Sequence, residues 1–160
     1  VFGRKDFQQL VLIRRMVDDL DLHVHIVAAP TVREPDGLAM SSRNRYLSAE
    51  ERGRALAISA ALRDCQRLFA EDERDPAAFT RRLYSIDAPE LAVEYAEIVD
   101  PESLQPVERA EDGSVCAVAA RVGATRLIDN VVLGEEPEGI HALLKPEAVA
   151  TTNRPLSCGR

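Results

Sequence analysis

The stretch Val1–Pro30, "VFGRKDFQQLVLIRRMVDDLDLHVHIVAAP", decides the fold class. "VFG" reads as the end of a strand running into a tight turn. From Asp6 to Leu20, the apolar residues Phe7, Leu10, Ile13, Val17 and Leu20 recur at spacings of three and four, the period of a helix that buries one face. "HVHIVAAP", His23 to Pro30, reads as a second strand. Strand, turn, helix and strand in that order make a parallel βαβ unit. A lone crossover has too little sheet to bury both of its faces, and the chain starts at Val1 without an initiator Met. The sequence therefore reads as entering a larger protein part-way.

Outward from that unit the pattern changes. After Pro30 comes a loop with turn residues at "EPDG", then "LAMSSRNRYLS", Leu38 to Ser48. Ser48 and Glu51 form an S-x-x-E capping box, in which each side chain satisfies an orphan N–H of the first turn. Ala55, Ile58, Leu62, Cys65 and Phe69 then give a helix with one buried stripe, running to about Ala70. A weaker helix is expected from Pro76 to about Ile86, with the proline tolerated in the first turn. Ala92–Val99 reads as a strand. "SVCAVAARV" and "TRLIDNVVL", broken at Gly123-Ala124, read as a β-hairpin with imperfect alternation. The expected fold class is α/β: the last βαβ segment of a Rossmann-like parallel sheet, then a small α+β domain with a β-hairpin. Residues 1–31 are expected to be the remnant of a Rossmann-like ATP-binding domain, 32–134 a small α+β lid domain, and 135–160 a flexible tail rich in polar residues and proline.

Composition narrows the function. A hydrophobic fraction of 46% can build a real core, and no run approaches the ~18 apolar residues of a membrane span. The N-terminus shows no basic-then-apolar signal pattern. With a net charge of -7 and a pI near 5.0, the chain is a poor partner for nucleic acid, whose ligands are normally basic. The cysteines Cys65, Cys116 and Cys158 are far apart and form no CxxC pair, which fits a reducing cytoplasm. Cys65 falls on an apolar helix face and Cys116 in an apolar strand, so both read as core.

Two loops carry candidate chemistry. In "GRKDFQQ", Gly3 lets backbone approach a ligand closely, and the helix start that follows offers unpaired N–H groups to an anion. Lys5 adds a mobile charge, Asp6 can accept from sugar hydroxyls, and Gln9 lies about one turn on. The plainer reading makes Asp6 an N-cap and leaves Lys5 and Gln9 solvated. In "MSSR", the hydroxyls of Ser41 and Ser42 with the Arg43 fork form a clamp suited to a triphosphate. Taken alone, that loop is as easily a surface loop. Both loops follow strands of one parallel sheet, however, and ligands of such sheets sit at the carboxyl ends of strands. Together they point to a nucleotide.

At this point "VFGRKDFQQLVLIRRMVDDLDL", "PTVREPDGLAMSSRNRYLSAEER" and "TRLIDNVVL" resemble, in order and over Val1 to about Leu133, the C-terminal part of the pantothenate synthetase family. That family belongs to the HIGH-type nucleotidylyl-transferases, and "MSSR" looks like their KMSKS loop. The resemblance implies an ATP-dependent ligase that joins pantoate to β-alanine through a pantoyl adenylate, releasing AMP and pyrophosphate, with Mg²⁺. It places Gly3 and Asp6 near the ATP ribose and Lys5 on the phosphates. It puts the backbone of Val32 and Met40 against adenine, Ser41, Ser42 and Arg43 over the phosphates, and Gln9 on pantoate. Lys5, Ser41, Ser42 and Arg43 would carry the catalysis. It also implies a homodimer as the full-length enzyme.

Departures from the family pattern bear equally on function. The early histidine pair of the HIGH-type motif is absent; the histidines are His23, His25 and His141. His23 and His25 alternate on one expected strand face and read as partly exposed edge residues, with no third ligand for a metal. The chain alone is therefore expected to be inactive. Asp129-Asn130 sit in an apolar strand and read as a buried network that fixes register. Glu94 and Glu97, three apart in a strand, fall on opposite faces and make a poor acid/base pair. A different class also fits these residues: a non-catalytic nucleotide-binding or interaction module that kept the fold.

Overall fold

The computed structural model describes residues 1–135. Along the chain it shows β1 (Phe2–Gly3), α1 (Phe7–Asp19), β2 (Ala28–Ala29), a 3₁₀ turn (Ser42–Tyr46), α2 (Ala49–Ala70), α3 (Pro76–Tyr84), β3 (Leu91–Val99), β4 (Val115–Val122) and β5 (Thr125–Val132). The fold is mixed α/β. Strands β1 and β2 pair in parallel, and β3-β4-β5 form an antiparallel sheet with β4 in the middle. The expected tail beyond Glu135 lies outside the described residues, as do His141, Lys145 and Cys158.

The βαβ order is present, but its second strand is much shorter than His23–Pro30. Only Ala28 and Ala29 pair, because β1 offers only Phe2 and Gly3 as partners. A strand persists only where a ladder partner satisfies its backbone. His23 and His25 consequently lie outside any strand, both exposed. Helix α1 starts where the carboxylate of Asp6 accepts from the Gln9 N–H at 3.3 Å, an N-cap bond. Its buried face is Leu10, Val11 and Val17, while Leu20, expected on that stripe, is the C-cap and 63% exposed.

Helix α2 forms as its local signals require. Ser48 Oγ accepts from the Glu51 N–H at 3.1 Å, and Glu51 Oε2 accepts from the Ser48 N–H at 2.7 Å. Ala55, Ile58, Leu62, Cys65 and Phe69 are all buried. They pack with Phe79 and Leu83 of α3 against Cys116, Val118, Ala120, Val122 and Leu127 on one face of the sheet. This is the core, and both cysteines belong to it. Truncating a fully buried member such as Leu62 to alanine costs about 2–5 kcal/mol.

The hairpin is continuous from Val115↔Val132 to Val122↔Thr125, closed by Gly123-Ala124. Gly123 has φ +54°, the left-handed value that two-residue hairpin turns require at their first central position. Strand β4 is central and buried over most of its length, so its sequence lacks a clean alternation. In β3 the register shifts between Val93 and Tyr95, leaving Glu94 as a bulge. That extra residue resets the side-chain alternation. Glu94 and Glu97 therefore share the face away from the core, which corrects the expectation that they lie on opposite faces. Glu94 is nonetheless no acid: Arg126 and Arg121 bond its two oxygens at 2.6 and 3.1 Å, and those bonds hold its pKa below the usual carboxylate value.

Candidate functional site

The first loop, Gly3 to Asp6, joins β1 to α1. Gly3 is exposed, and a Cβ built on it would meet nothing within 4 Å, so no neighbouring protein atom requires glycine there. Lys5 is half-buried and makes no ion pair among the described residues. Burial lowers its pKa from the usual 10.5; the Asp129 carboxylate works against that shift, the Arg43 guanidinium adds to it, and Asp6 opposes it.

The second loop is an arch. The Gly37 N–H donates to Glu34 O at 2.8 Å to close the "EPDG" turn, with Gly37 at φ +94°. Arg33 and Ala39 form an antiparallel bridge, and the Met40 N–H donates to Val32 O at 2.8 Å. Val32 and Met40 thus stand side by side, 37% and 55% exposed. Ser41 then caps the 3₁₀ turn by accepting from the Arg43 N–H at 3.2 Å, which leaves its own O–H free to donate outward. Ser42 and Arg43 are exposed, and Arg43 Nη1 donates to Arg126 O at 3.4 Å.

Asn44 holds the arch from within. Its Nδ2 donates to Glu34 Oε1 at 2.6 Å and to Ala39 O at 3.1 Å. Its Oδ1 is buried without a partner. From α2, Arg52 reaches back to Glu34 Oε2 at 2.5 Å and to Asp36 Oδ2 at 2.8 Å. The bonds from Asn44 and Arg52 lower the pKa of Glu34, and those from the Leu38 N–H and Arg52 lower that of Asp36.

The two loops meet. Lys5, Ser41, Asn44 and Asp129 line one small cavity. Lys5 also borders a larger cleft of about 480 Å³ between the start of α1 and the outer face of the sheet, with Asp6, Gln8, Tyr95, Glu97 and Arg126 among its walls. Gln9 is exposed on the first turn of α1 and does not border that cleft; Gln8 does. Asp129 and Asn130 are buried, and both bond to the loops. Arg33 grips Asp129 with both nitrogens, at 2.7 and 3.1 Å, and Asn130 Nδ2 donates to Arg4 O and Lys5 O at 3.0 and 2.8 Å. The buried polar network expected at "LIDN" is therefore present, reaching outward from the sheet.

Sequence reasoning missed Arg33 and Asn44. A buried carboxylate needs a cation, so Asp129 was a signal that some arginine must reach it, but nothing local says which. Among the described residues no group of three or more metal-ligating side chains exists. Mg²⁺ is commonly carried by substrate phosphates and water, with one or two carboxylates, rather than by a cage of protein ligands.

A parallel strand edge that brings a lysine loop against a Ser-Ser-Arg loop is a cationic, donor-rich site able to hold a phosphate-bearing ligand. The profile of the Pantoate-beta-alanine ligase family matches residues 1–132, and the chain belongs to that family. It is 50% identical over 137 residues to the pantothenate synthetase of Geobacter sulfurreducens, covering 84% of this chain and 48% of that protein. Against the pantothenate synthetase of Anaeromyxobacter dehalogenans it is 53% identical over 131 residues, covering 81% and 45%. The crystal structure of pantothenate synthetase from Thermus thermophilus superposes with a TM-score of 0.77 at 41% identity, covering 82% of this chain and 48% of the other. That of pantoate-beta-alanine ligase from Francisella tularensis, complexed with beta-gamma ATP and beta-alanine, gives 0.59 at 28% identity, covering 86% and 44%. The chain spans about half the length of the curated relatives it matches. Among the described residues no helix is long and apolar enough to cross a membrane.

Proposed function

We propose that this chain supplies the nucleotide-closing part of a cytoplasmic pantothenate synthetase that works as a homodimer, with residues 32–134 as its lid. The reaction is ATP-dependent condensation of pantoate with β-alanine. A pantoate carboxylate oxygen attacks the α-phosphorus of ATP, the bond to the bridging oxygen breaks, and pyrophosphate leaves. The β-alanine amine then attacks the acyl carbon of the pantoyl adenylate, AMP departs, and the amine proton is lost to solvent.

In this reading Lys5, Ser41, Ser42 and Arg43 face the phosphates, where charge builds on the departing pyrophosphate and preorganised donors lower the barrier. Gly3 and Asp6 meet the ribose, and Gly3 has room for it. The adjoining backbones of Val32 and Met40 meet adenine. Gln9, exposed on the first turn of α1, takes pantoate. Mg²⁺ enters bound to ATP, and no role here passes through it. The observation that carries the proposal is the meeting of Lys5 and Ser41 at one cavity, beside Arg43.

The test is a chimera that joins the remaining part of the Geobacter sulfurreducens relative ahead of Val1. It is expected to convert pantoate, β-alanine and ATP to pantothenate with one AMP and one pyrophosphate each. In that protein Arg43→Ala should lower kcat about a hundredfold while changing the ATP KM far less, since the contact strengthens in the transition state. Formation of ADP, or an Arg43→Ala effect confined to KM, would contradict these roles.

A further inference from the structure

We infer that Asn130 is a positioning residue for the triphosphate site, and that with Asp129 it forms a latch setting the distance between the Lys5 loop and the Ser41–Arg43 loop. The inference rests on the nucleotide reading above and adds to it. The hairpin ladder is unbroken from Val115↔Val132 to Val122↔Thr125 through backbone pairing, and the side chains of Asp129 and Asn130 bond beyond it. Asn130 commits both amide hydrogens to the carbonyls of Arg4 and Lys5, at 3.0 and 2.8 Å, which lie 126 and 125 residues away along the chain. Asp129 is itself fixed by the Asn130 N–H at 2.9 Å and gripped by the Arg33 fork, whose Nη1 also holds Gly37 O at 3.3 Å.

Arg33 is the root of the arch. Around it the Glu34 N–H donates to Leu38 O and the Met40 N–H to Val32 O, each at 2.8 Å, so the Arg33↔Ala39 bridge runs without a gap into Ser41. Two adjacent residues of one strand therefore set where both phosphate-facing loops begin. Asn130 and Asp129 are 6% and 5% exposed, with their side-chain bonds spent on the two loops, so they act chiefly by placing Lys5 and the arch.

The experiment is calorimetric titration of the full 160-residue chain with MgATP and with adenosine, alongside thermal melting. Asn130→Ala is expected to weaken ATP about tenfold, as loss of two buried hydrogen bonds implies, and to leave adenosine within about twofold. On a Lys5→Ala background the same substitution should add less than about a twofold loss, because its effect passes through Lys5. Equal losses on both backgrounds, or equal losses for ATP and adenosine, would overturn the latch. Asn130→Ser, which keeps one donor, covers the case in which alanine unfolds the chain; it should lose less than tenfold while still sparing adenosine, and an unchanged ATP affinity would count against the latch. If the unsubstituted chain binds no ATP, the nucleotide reading fails for it. The latch then stands or falls on hydrogen exchange, where Asn130→Ala must speed exchange at the amides of residues 4–7 well beyond any change in melting.

Discussion

Lys5 borders both the small cavity of the arch and the larger sheet cleft. Its ammonium is half-buried, with no carboxylate in ion-pair contact among the described residues, and the Arg43 guanidinium acts on it as a like charge. Burial and a nearby cation both disfavour the charged form, so its pKa lies below 10.5 although Asp129 and Asp6 oppose the shift. An amine attacks acylating reagents only when neutral. Lys5 should therefore acylate at a lower pH in the folded chain than in the same chain unfolded in urea. MgATP should reverse this: phosphate oxygens favour the ammonium, raise the pKa and occupy the approach. Peptide mass spectrometry after brief acetic anhydride treatment across a pH series reads both effects. A folded midpoint at or above the unfolded one would contradict the burial argument. An ATP-independent midpoint would remove Lys5 from the phosphates.

Among the elements, α2 and the hairpin turn are coupled through one carboxylate. Glu51 Oε2 closes the capping box on the Ser48 N–H, while Glu51 Oε1 lies 2.0 Å from where a Cβ on Gly123 would stand. Gly123→Ala must therefore adopt a left-handed φ, costing about 1–2 kcal/mol, and displace Glu51 from its cap, costing about 1 kcal/mol more. Urea unfolding should show both, and on a Glu51→Ala background the loss should shrink by about 1 kcal/mol. Strict additivity would mean the turn and the helix cap are independent. This contact also marks the limit of what the sequence reveals. The capping box and the stripe from Ala55 to Phe69 were legible because every signal lies within a few residues of its partner. The extent of β2 was not, since it depends on how much of β1 is there to pair. The Glu94 bulge was not legible either, because a register shift belongs to two strands at once. "LIDN" announced a buried polar network, yet its partners Arg33, Arg4 and Lys5 are far along the chain. Sequence spacing could not choose them.

At the scale of the molecule, the loops that would close on a nucleotide are complete, while the family's early histidine pair is not among the residues of this chain. Its three histidines are His23, His25 and His141, and the first two are exposed outside any strand. Binding and chemistry should therefore separate in a polypeptide of these 160 residues. In the proposed reading, binding would draw on Lys5, the Ser41–Arg43 loop and the backbone of Val32 and Met40, which contacts among the described residues hold in place. Chemistry also needs pantoate held in line with the α-phosphorus, and Gln9 alone, exposed on one helical turn, cannot orient a carboxylate against it. Positioning of that kind accounts for about 7–11 kcal/mol of barrier, so its loss pushes turnover below detection. The expected outcome is saturable MgATP binding with no pantoate-dependent exchange of labelled pyrophosphate into ATP. The chimera carrying the relative's remaining part, measured in parallel, should show that exchange. Exchange by the 160-residue polypeptide alone, in a preparation free of host enzyme, would mean that these residues already hold pantoate in line. Exchange by neither, with ATP bound by both, would instead favour a nucleotide-binding module that kept the loops and lost the reaction.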